Sequence, residues 1–261
     1  MSNIRMGYGL IRERLANTAM RVYPVPCLKD NYSWVLHDAD TNCVGIVDPP
    51  VAQTVIEFLD KNKIHASSVK ILNTHYHRDH TGGNEFMKKH FSDRDCEIVG
   101  PALENIPFID RKVSENDIVK IGNFACRVLD IPGHTRGHVG FVFDDLQMAF
   151  VGDTLFNTGC GGVMDKCTPS MLWASLTKLI CLPKTTIIFC AHEYTERNIA
   201  FASYLRPDDV KLPRLREQVR NLRSLGEPTV PSLLEQELLT NPFLMCGSSE
   251  TQEQLNPCIF A

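Results

Sequence analysis

No stretch of apolar residues among the 261 positions approaches the length that a membrane-spanning helix needs. The amino terminus also lacks the hydrophobic centre of a secretory signal. Surplus positive charge is missing as well: 27 Lys and Arg face 31 Asp and Glu, a net charge of -4. That balance argues against affinity built on phosphate neutralisation. Internal repeats and low-complexity tracts are absent, which excludes solenoids and repeat arrays. The ten cysteines never pair as CxxC, and three of them (Cys126, Cys181, Cys190) fall inside apolar runs. They are expected to be reduced, buried small hydrophobes of a protein in a reducing compartment such as the cytoplasm. Arg5, Arg12, Arg14 and Arg21 against the single acid Glu13 are compatible with a mitochondrial transit segment, but a simple extension over residues 1–20 is the expected reading.

What remains is an ordinary globular composition, 43% hydrophobic and 22% charged, long enough for one large core or two smaller ones. Short apolar runs predict strands at Met20 to Val25, Tyr32 to Leu36, Val44 to Val47 and Val69 to Leu72. Others follow at Ile118 to Ile121, Phe124 to Leu129, Val139 to Phe143, Met148 to Val151 and Ile187 to Cys190. Helices are expected at Val51 to Leu59, at Glu85 to Phe91 and after Thr168-Pro169, where proline suits the first helical turn. Two packed sheets with helices outside fit this order. From Tyr194 to Asn241 the pattern reads as all helical. Leu215, Val219 and Leu222 share a face, Gly226 and Pro228 stop that helix, and Ser232 with Glu235 predicts a capping box for the next. A boundary is therefore expected near residue 195, separating residues 21–195 from a helical unit over 196–261.

The chemistry concentrates in Thr74-His75-Tyr76-His77-Arg78-Asp79-His80, directly after a hydrophobic strand. A loop leaving a strand can curl, so His75 and His77 can face one ion while Asp79 and His80 face a second. Imidazole and carboxylate ligands suit zinc, iron or manganese rather than calcium. Gly82-Gly83-Asn84 then turns the chain into a helix. Completing two coordination spheres takes further ligands, and His134, Asp153 and His192 each stand at the tip of a predicted strand. Asp153, with two carboxylate oxygens, is the expected bridge.

In this order the residues resemble the metallo-β-lactamase superfamily, and within it the glyoxalase II (hydroxyacylglutathione hydrolase) family. Supporting segments are Lys29 to Tyr32, Val47-Asp48-Pro49, Thr74 to Asn84, Gly152 to Phe156, Gly159-Cys160-Gly161, Ala191 to Thr195, Gly226 to Ser232 and Asn241-Pro242-Phe243, spanning residue 22 to about 244. The resemblance implies an α/β (α+β) fold, a four-layer αββα sandwich with a carboxy-terminal helical domain that helps bind the thiol carrier. It implies one divalent metal on His75, His77 and His134, a second on Asp79, His80 and His192, and Asp153 between them, with zinc the first expectation and iron or manganese accommodated. Asp79 and Asp153 are the implied catalytic carboxylates, Asp79 as ligand rather than acid, and His138 resembles a supporting position. Two cations sharing a water lower its pKa toward neutrality. The implied reaction is attack of that hydroxide on a 2-hydroxyacyl thioester, D-lactoyl in the family, with a thiolate of parent pKa ~8.5 as leaving group.

The resemblance breaks at the carrier site. Family members that use glutathione hold its glycine carboxylate with basic and tyrosyl side chains, where this chain has Gly162, Met164, Met245 and Ser248; only Tyr194 is kept. Charge-assisted pairs contribute about 1.5–3 kcal/mol each, so a free glycine carboxylate is expected to bind poorly here. Trypanothione, the spermidine conjugate of glutathione used by trypanosomatids, has that carboxylate amidated and a cationic linker, and Asp165 and Glu250 lie near the altered positions. Small-molecule thioesters of trypanothione or glutathione are the expected partners, with no nucleic acid and no membrane. A mononuclear-iron persulfide dioxygenase-like member, or a catalytically silent binding module on the same fold, are the competing readings; a nuclease of this fold lacks its basic surface here.

Overall fold

The computed structural model describes residues 3–246. Its framework is two six-stranded sheets. The first holds β1 (Met20–Cys27), β2 (Asn31–Asp38), β3 (Cys43–Val47), β4 (Ser68–Leu72), β5 (Asp95–Pro101) and β6 (Arg111–Val113) in sequential order. Its first three strands run antiparallel, and the pairs from β3 to β6 are parallel. The second sheet contains β7 (Ile118–Ile121), β8 (Phe124–Asp130), β9 (Val139–Phe143) and β10 (Met148–Gly152). After the small hairpin β11 (Leu155–Phe156) and β12 (Gly159–Cys160), it is completed by β13 (Ile187–Cys190) and β14 (Ser232–Leu233), giving the order β14-β13-β10-β9-β8-β7. Helices α1 (Asn3–Asn17), α2 (Ala52–Lys61), α3 (Arg78–Thr81), α4 (Asn84–His90), α5 (Pro169–Ile180), α6 (Thr195–Leu205), α7 (Lys211–Ser224) and α8 (Leu234–Thr240) interleave with the strands. No helix among the described residues is long and apolar enough to cross a membrane.

The two-residue period of the strands divides the core. On β2, Tyr32, Trp34 and Leu36 face the second sheet, whereas Val35 turns outward to join Val55, Ile56 and Leu59 of α2. Trp34 meets Phe189 edge-on at 4.9 Å, Phe189 stacks on Phe150 at 4.4 Å, and the Trp34 indole donates to the Cys190 carbonyl at 2.9 Å. The aromatic stack thus welds the two sheets just below the strand tips that carry the ligand loops. Thr168 caps α5 by accepting from the Met171 amide, so the proline at the first helical position leaves no donor stranded.

Four expectations change. Residues 1–20, expected as an extension, contain α1, whose Ile11 enters the inter-sheet core and whose Tyr8 hydroxyl donates to the Thr229 carbonyl at 3.1 Å. The stretch after Tyr194 is not all helical: Ser232 and Leu233 pair antiparallel with β13. No capping box forms, because α8 starts at Leu234 with no side-chain cap, Ser232 being paired in β14. Cys181 is exposed, since it sits at the carboxy-terminal cap of α5 beyond the helix's last buried turn; all nine described cysteines are free. Beyond residue 195, α6 and α7 bury Ile199, Leu215 and Val219 between them, whereas Leu233, Leu234 and Leu244 belong to the main core.

Glu237 is a fully buried carboxylate under this junction. Its Oε2 accepts from the Thr158 amide at 2.7 Å and the Asn241 side chain at 3.0 Å, while its Oε1 has no hydrogen-bond partner. Burial pushes its pKa up to about 7 despite these donors. The folded state therefore favours the protonated acid, a contribution complete below the unfolded value near 4.5 and lost as pH rises through about 7. The stability gap between Glu237→Gln and the parent chain is expected to move in favour of the variant across that window, read by denaturant unfolding at fixed metal load. Phe150→Ala is expected to cost about 3–5 kcal/mol by the same measurement.

Candidate metal centre

The ligand candidates follow strand tips along one edge of the sandwich, on loops or, for Asp79 and His80, on the short helix α3. β4 runs into Asn73 and Thr74 and then the curled segment from His75 to His80; β8 leads to His134, β10 to Asp153 and β13 to His192. The carboxylate of Asp48, just past β3, accepts from the Thr74 amide at 2.8 Å and its hydroxyl at 2.7 Å, pinning the root of the loop. Asn73 donates to the His80 carbonyl at 2.9 Å and is itself held by Asn84 at 2.8 Å. Two glycines are sterically required. A Cβ on Gly152 (φ +48°) would come within 2.3 Å of the Thr74 hydroxyl, and one on Gly161 within 1.9 Å of the Asp153 carbonyl oxygen.

The donor atoms form overlapping groups. Those of His75, His77 and His134 lie within 4.8 Å of one another, and so do those of Asp79, His80 and His192, and of His75, His80 and Asp153. In the first group His77 Nδ1 stands 3.0 Å from His75 Nε2 and 3.1 Å from His134 Nε2. In the second, Asp79 Oδ2 stands 3.6 Å from His80 Nε2 and 3.5 Å from His192 Nε2. Asp153 lies between them, its Oδ2 3.5 Å from His134 Nε2 and 3.4 Å from His192 Nε2, its Oδ1 3.5 Å from His80 Nε2. Both His80 Nε2 and Asp153 Oδ1 are buried without a hydrogen-bond partner. Two desolvated polar atoms aimed at one point are what a cation satisfies, so the donor set fits divalent metal.

Second partners fix the imidazoles. His75 Nδ1 is 3.0 Å from the Thr74 hydroxyl, His80 Nδ1 3.1 Å from Asp48, His192 Nδ1 2.9 Å from Asp30, and His134 Nδ1 2.8 Å from the Gly162 carbonyl. Each leaves Nε2 pointing inward, the arrangement that sets tautomer and ligand basicity. His77 differs, presenting Nδ1. Asn31 donates to Asp79 Oδ2 at 3.1 Å. His138 stacks on His75 at 4.6 Å and accepts from the Asp153 amide at 3.2 Å. Burial holds it neutral, its pKa pushed down to about 3.

Electrostatics follow the same division. Burial and the neighbouring imidazoles hold His75 well below the usual histidine range. Burial alone would lower His80, but the Asp153 and Asp48 carboxylates outweigh it and raise it well above that range. Burial would raise Asp153, yet His80 and His192 hold it well below the carboxylate range. The bridge candidate is thus an anion sustained by cationic surroundings.

The carrier-site positions spread around this centre. Tyr194 stacks flat on His192, centroids 4.6 Å apart and planes 9° from parallel, with Phe156 edge-on to both rings. Gly162 is exposed with nothing near its missing Cβ, so its lack of a side chain is not a steric requirement. Met164 is exposed, Met245 is half-buried on the 3-10 turn Pro242–Met245, and Ser248 and Glu250 lie outside the described residues. Asp165 accepts from the Tyr76 hydroxyl at 2.7 Å, and Glu104 accepts from the Tyr76 amide at 2.7 Å, so two acids flank the His77 side of the centre. Asp30, Asn31 and Asp48, which hold candidate ligands by hydrogen bonds, are not marked as such by spacing in the sequence. Their signal was position, each at a strand tip on the same edge as the ligands.

Comparison with known proteins agrees with this architecture. Residues 69–192 match the family model of the metallo-beta-lactamase superfamily, and residues 193–258 match that of the hydroxyacylglutathione hydrolase C-terminus. The chain is 42% identical over 227 residues to the hydroxyacylglutathione hydrolase of Photobacterium profundum, covering 87% of each chain. It is 42% identical over 238 residues to that of Methylococcus capsulatus, covering 90% of this chain and 91% of the other. Among solved structures, a metallo-beta-lactamase from Staphylococcus aureus superposes with TM-score 0.66 at 17% identity, covering 93% of this chain and 67% of that one. The BLEG-1 B3 metallo-beta-lactamase gives 0.62 at 22% identity, covering 86% and 99%. The structural likeness establishes the metallo-β-lactamase fold; the sequence identity, sustained over both segments, makes this chain a member of the hydroxyacylglutathione hydrolase family.

Proposed function

We propose that the chain hydrolyses 2-hydroxyacyl thioesters of a glutathione-type thiol, releasing the hydroxy acid and the free thiol. The observation that carries this is the pair of donor groups joined by Asp153, His75/His77/His134 on one side and Asp79/His80/His192 on the other. Two divalent ions in these groups would supply Lewis acidity toward the thioester carbonyl and an acidified water at neutral pH. Zinc suits the donors first, and iron or manganese equally in geometry. The chain's own residues set the stage: Asp30, Asp48, Thr74 and the Gly162 carbonyl hold the imidazole donors in register. Asp79 and Asp153 act as charge-balancing carboxylates rather than proton donors, since a thiolate leaves without strong general-acid help at its parent pKa of ~8.5. A single-iron dioxygenase reading leaves the second donor group without a task, and a silent binding module leaves both without one.

The finer reading is a preference for trypanothione. Gly162, Met164 and Met245 offer no charge to a glycine carboxylate, while Asp165 and Glu104 give the His77 side of the centre negative charge suited to a cationic linker. The segment 196–261 would supply the carrier-facing surface beyond Tyr194, and the nine described cysteines, all free, support a reducing compartment.

About two metals per chain are expected by elemental analysis, with Asp48→Asn weakening metal affinity about 10–100-fold and Asp153→Ala removing activity. One metal per chain in an active enzyme would overturn the two-ion reading. Steady-state hydrolysis of the D-lactoyl thioesters of trypanothione and glutathione, side by side on one metal-quantified sample, is expected to favour trypanothione; comparable kcat/KM for both would end that preference.

A further inference from the structure

The two donor groups are supported in different ways. In the second, a carboxylate stands behind each imidazole, Asp48 at 3.1 Å from His80 and Asp30 at 2.9 Å from His192. In the first, His75 and His134 rest on the Thr74 hydroxyl and the Gly162 carbonyl. Among the described residues, the His77 ring has no hydrogen-bond partner outside the cluster of donors. The aim of His77 is therefore set by its backbone.

Glu104, on the connection between β5 and β6, reaches that backbone. Its Oε2 accepts from the amide of Tyr76, one residue before His77, at 2.7 Å. Its Oε1 accepts from the Gly137 amide at 2.9 Å and from the hydroxyl of Thr135, the residue after His134. One carboxylate thus spans the loop leaving β4 and the loop leaving β8, which belong to different sheets. The approach is close: a Cβ on Gly137 would come within 2.5 Å of Glu104 Cγ and 2.9 Å of Leu103 Cβ. All three partners of Glu104 are donors, and two are backbone N–H groups, one on each oxygen. Such groups cannot turn into acceptors. Glutamine would fill the same space but set its own NH2 against one of them.

Resting on the two-ion reading above, we propose that Glu104 is a positioning residue for the first donor group. It ties the His77 loop to the His134 loop, so that His75, His77 and His134 stand ready to hold their ion. Asp30 and Asp48 do the corresponding work for the second group, on ring nitrogens rather than on loop backbone.

The test titrates zinc into the metal-free full chain against a chromophoric chelator, resolving two binding constants. Hydrolysis of the D-lactoyl thioester of glutathione is followed alongside, at limiting and at excess zinc. Glu104→Gln is expected to weaken one constant about 10–100-fold and to leave the other unchanged. Asp48→Asn should weaken the other constant, so that the double variant shows both losses side by side. Excess zinc should restore most of kcat in Glu104→Gln, which a chain damaged in its fold would not allow. Thr135→Val, which removes one donor and keeps the carboxylate, should weaken the same constant by less, and it carries the test if Glu104→Gln fails to fold. Loss of both constants together, or of neither, in a folded variant would overturn the proposal, and so would a loss on the constant that Asp48→Asn weakens. A parent chain that binds two zinc ions but cleaves no thioester would sink the thioesterase reading and leave this one standing.

Discussion

A buried carboxylate among histidines is the constraint on which the rest of this molecule turns. Asp153 is desolvated at the tip of β10, and removing a carboxylate from water is costly unless cationic partners surround it. Imidazoles arriving from β4, β8 and β13 supply those partners, so the two sheets must be locked in one relative position. The Trp34–Phe189–Phe150 stack, directly beneath, provides that lock. Packing and electrostatics are thus coupled within a few residues: Trp34 donates to the carbonyl of Cys190, and His192 follows two positions later.

The strand pattern and the ligands were legible because both obey local rules. Period-two apolar runs gave the strands, and ligand-type residues standing where such runs end marked the metal edge without knowledge of the fold. What was illegible depended on distant contacts. Ser232 and Glu235 have capping-box spacing, yet pairing with β13 outweighs a cap that adds only about 1 kcal/mol. Ile11 looked like one apolar residue in a basic tail because its pocket is made by strands far along the chain. The roles of Asp30 and Asp48 were not legible, since a hydrogen bond to a histidine ring about 30 or 160 residues away leaves no trace in spacing.

The centre is also polar in the lateral sense. Its rigid part, the metal edge, is symmetric about Asp153, with comparable imidazole distances on either side. The loops beyond it are not: the Gly162 to Lys166 segment carries a carboxylate and left-handed backbone at Asp165 and Lys166, while the start of α6 carries an arginine. The donor groups belong to the symmetric part, and the loops around it differ from one side to the other.

The helix at the amino-terminal end has a bearing on how the molecule is made. Tyr8 and Thr229 touch across 221 residues of sequence, and Asn157 joins them at 3.2 and 2.9 Å. A ribosome delivers residues at roughly 5–20 per second, so tens of seconds separate the synthesis of this helix from that of its docking surface. The contact between Tyr8 and Thr229 can form only once the residues next to β14 have been made.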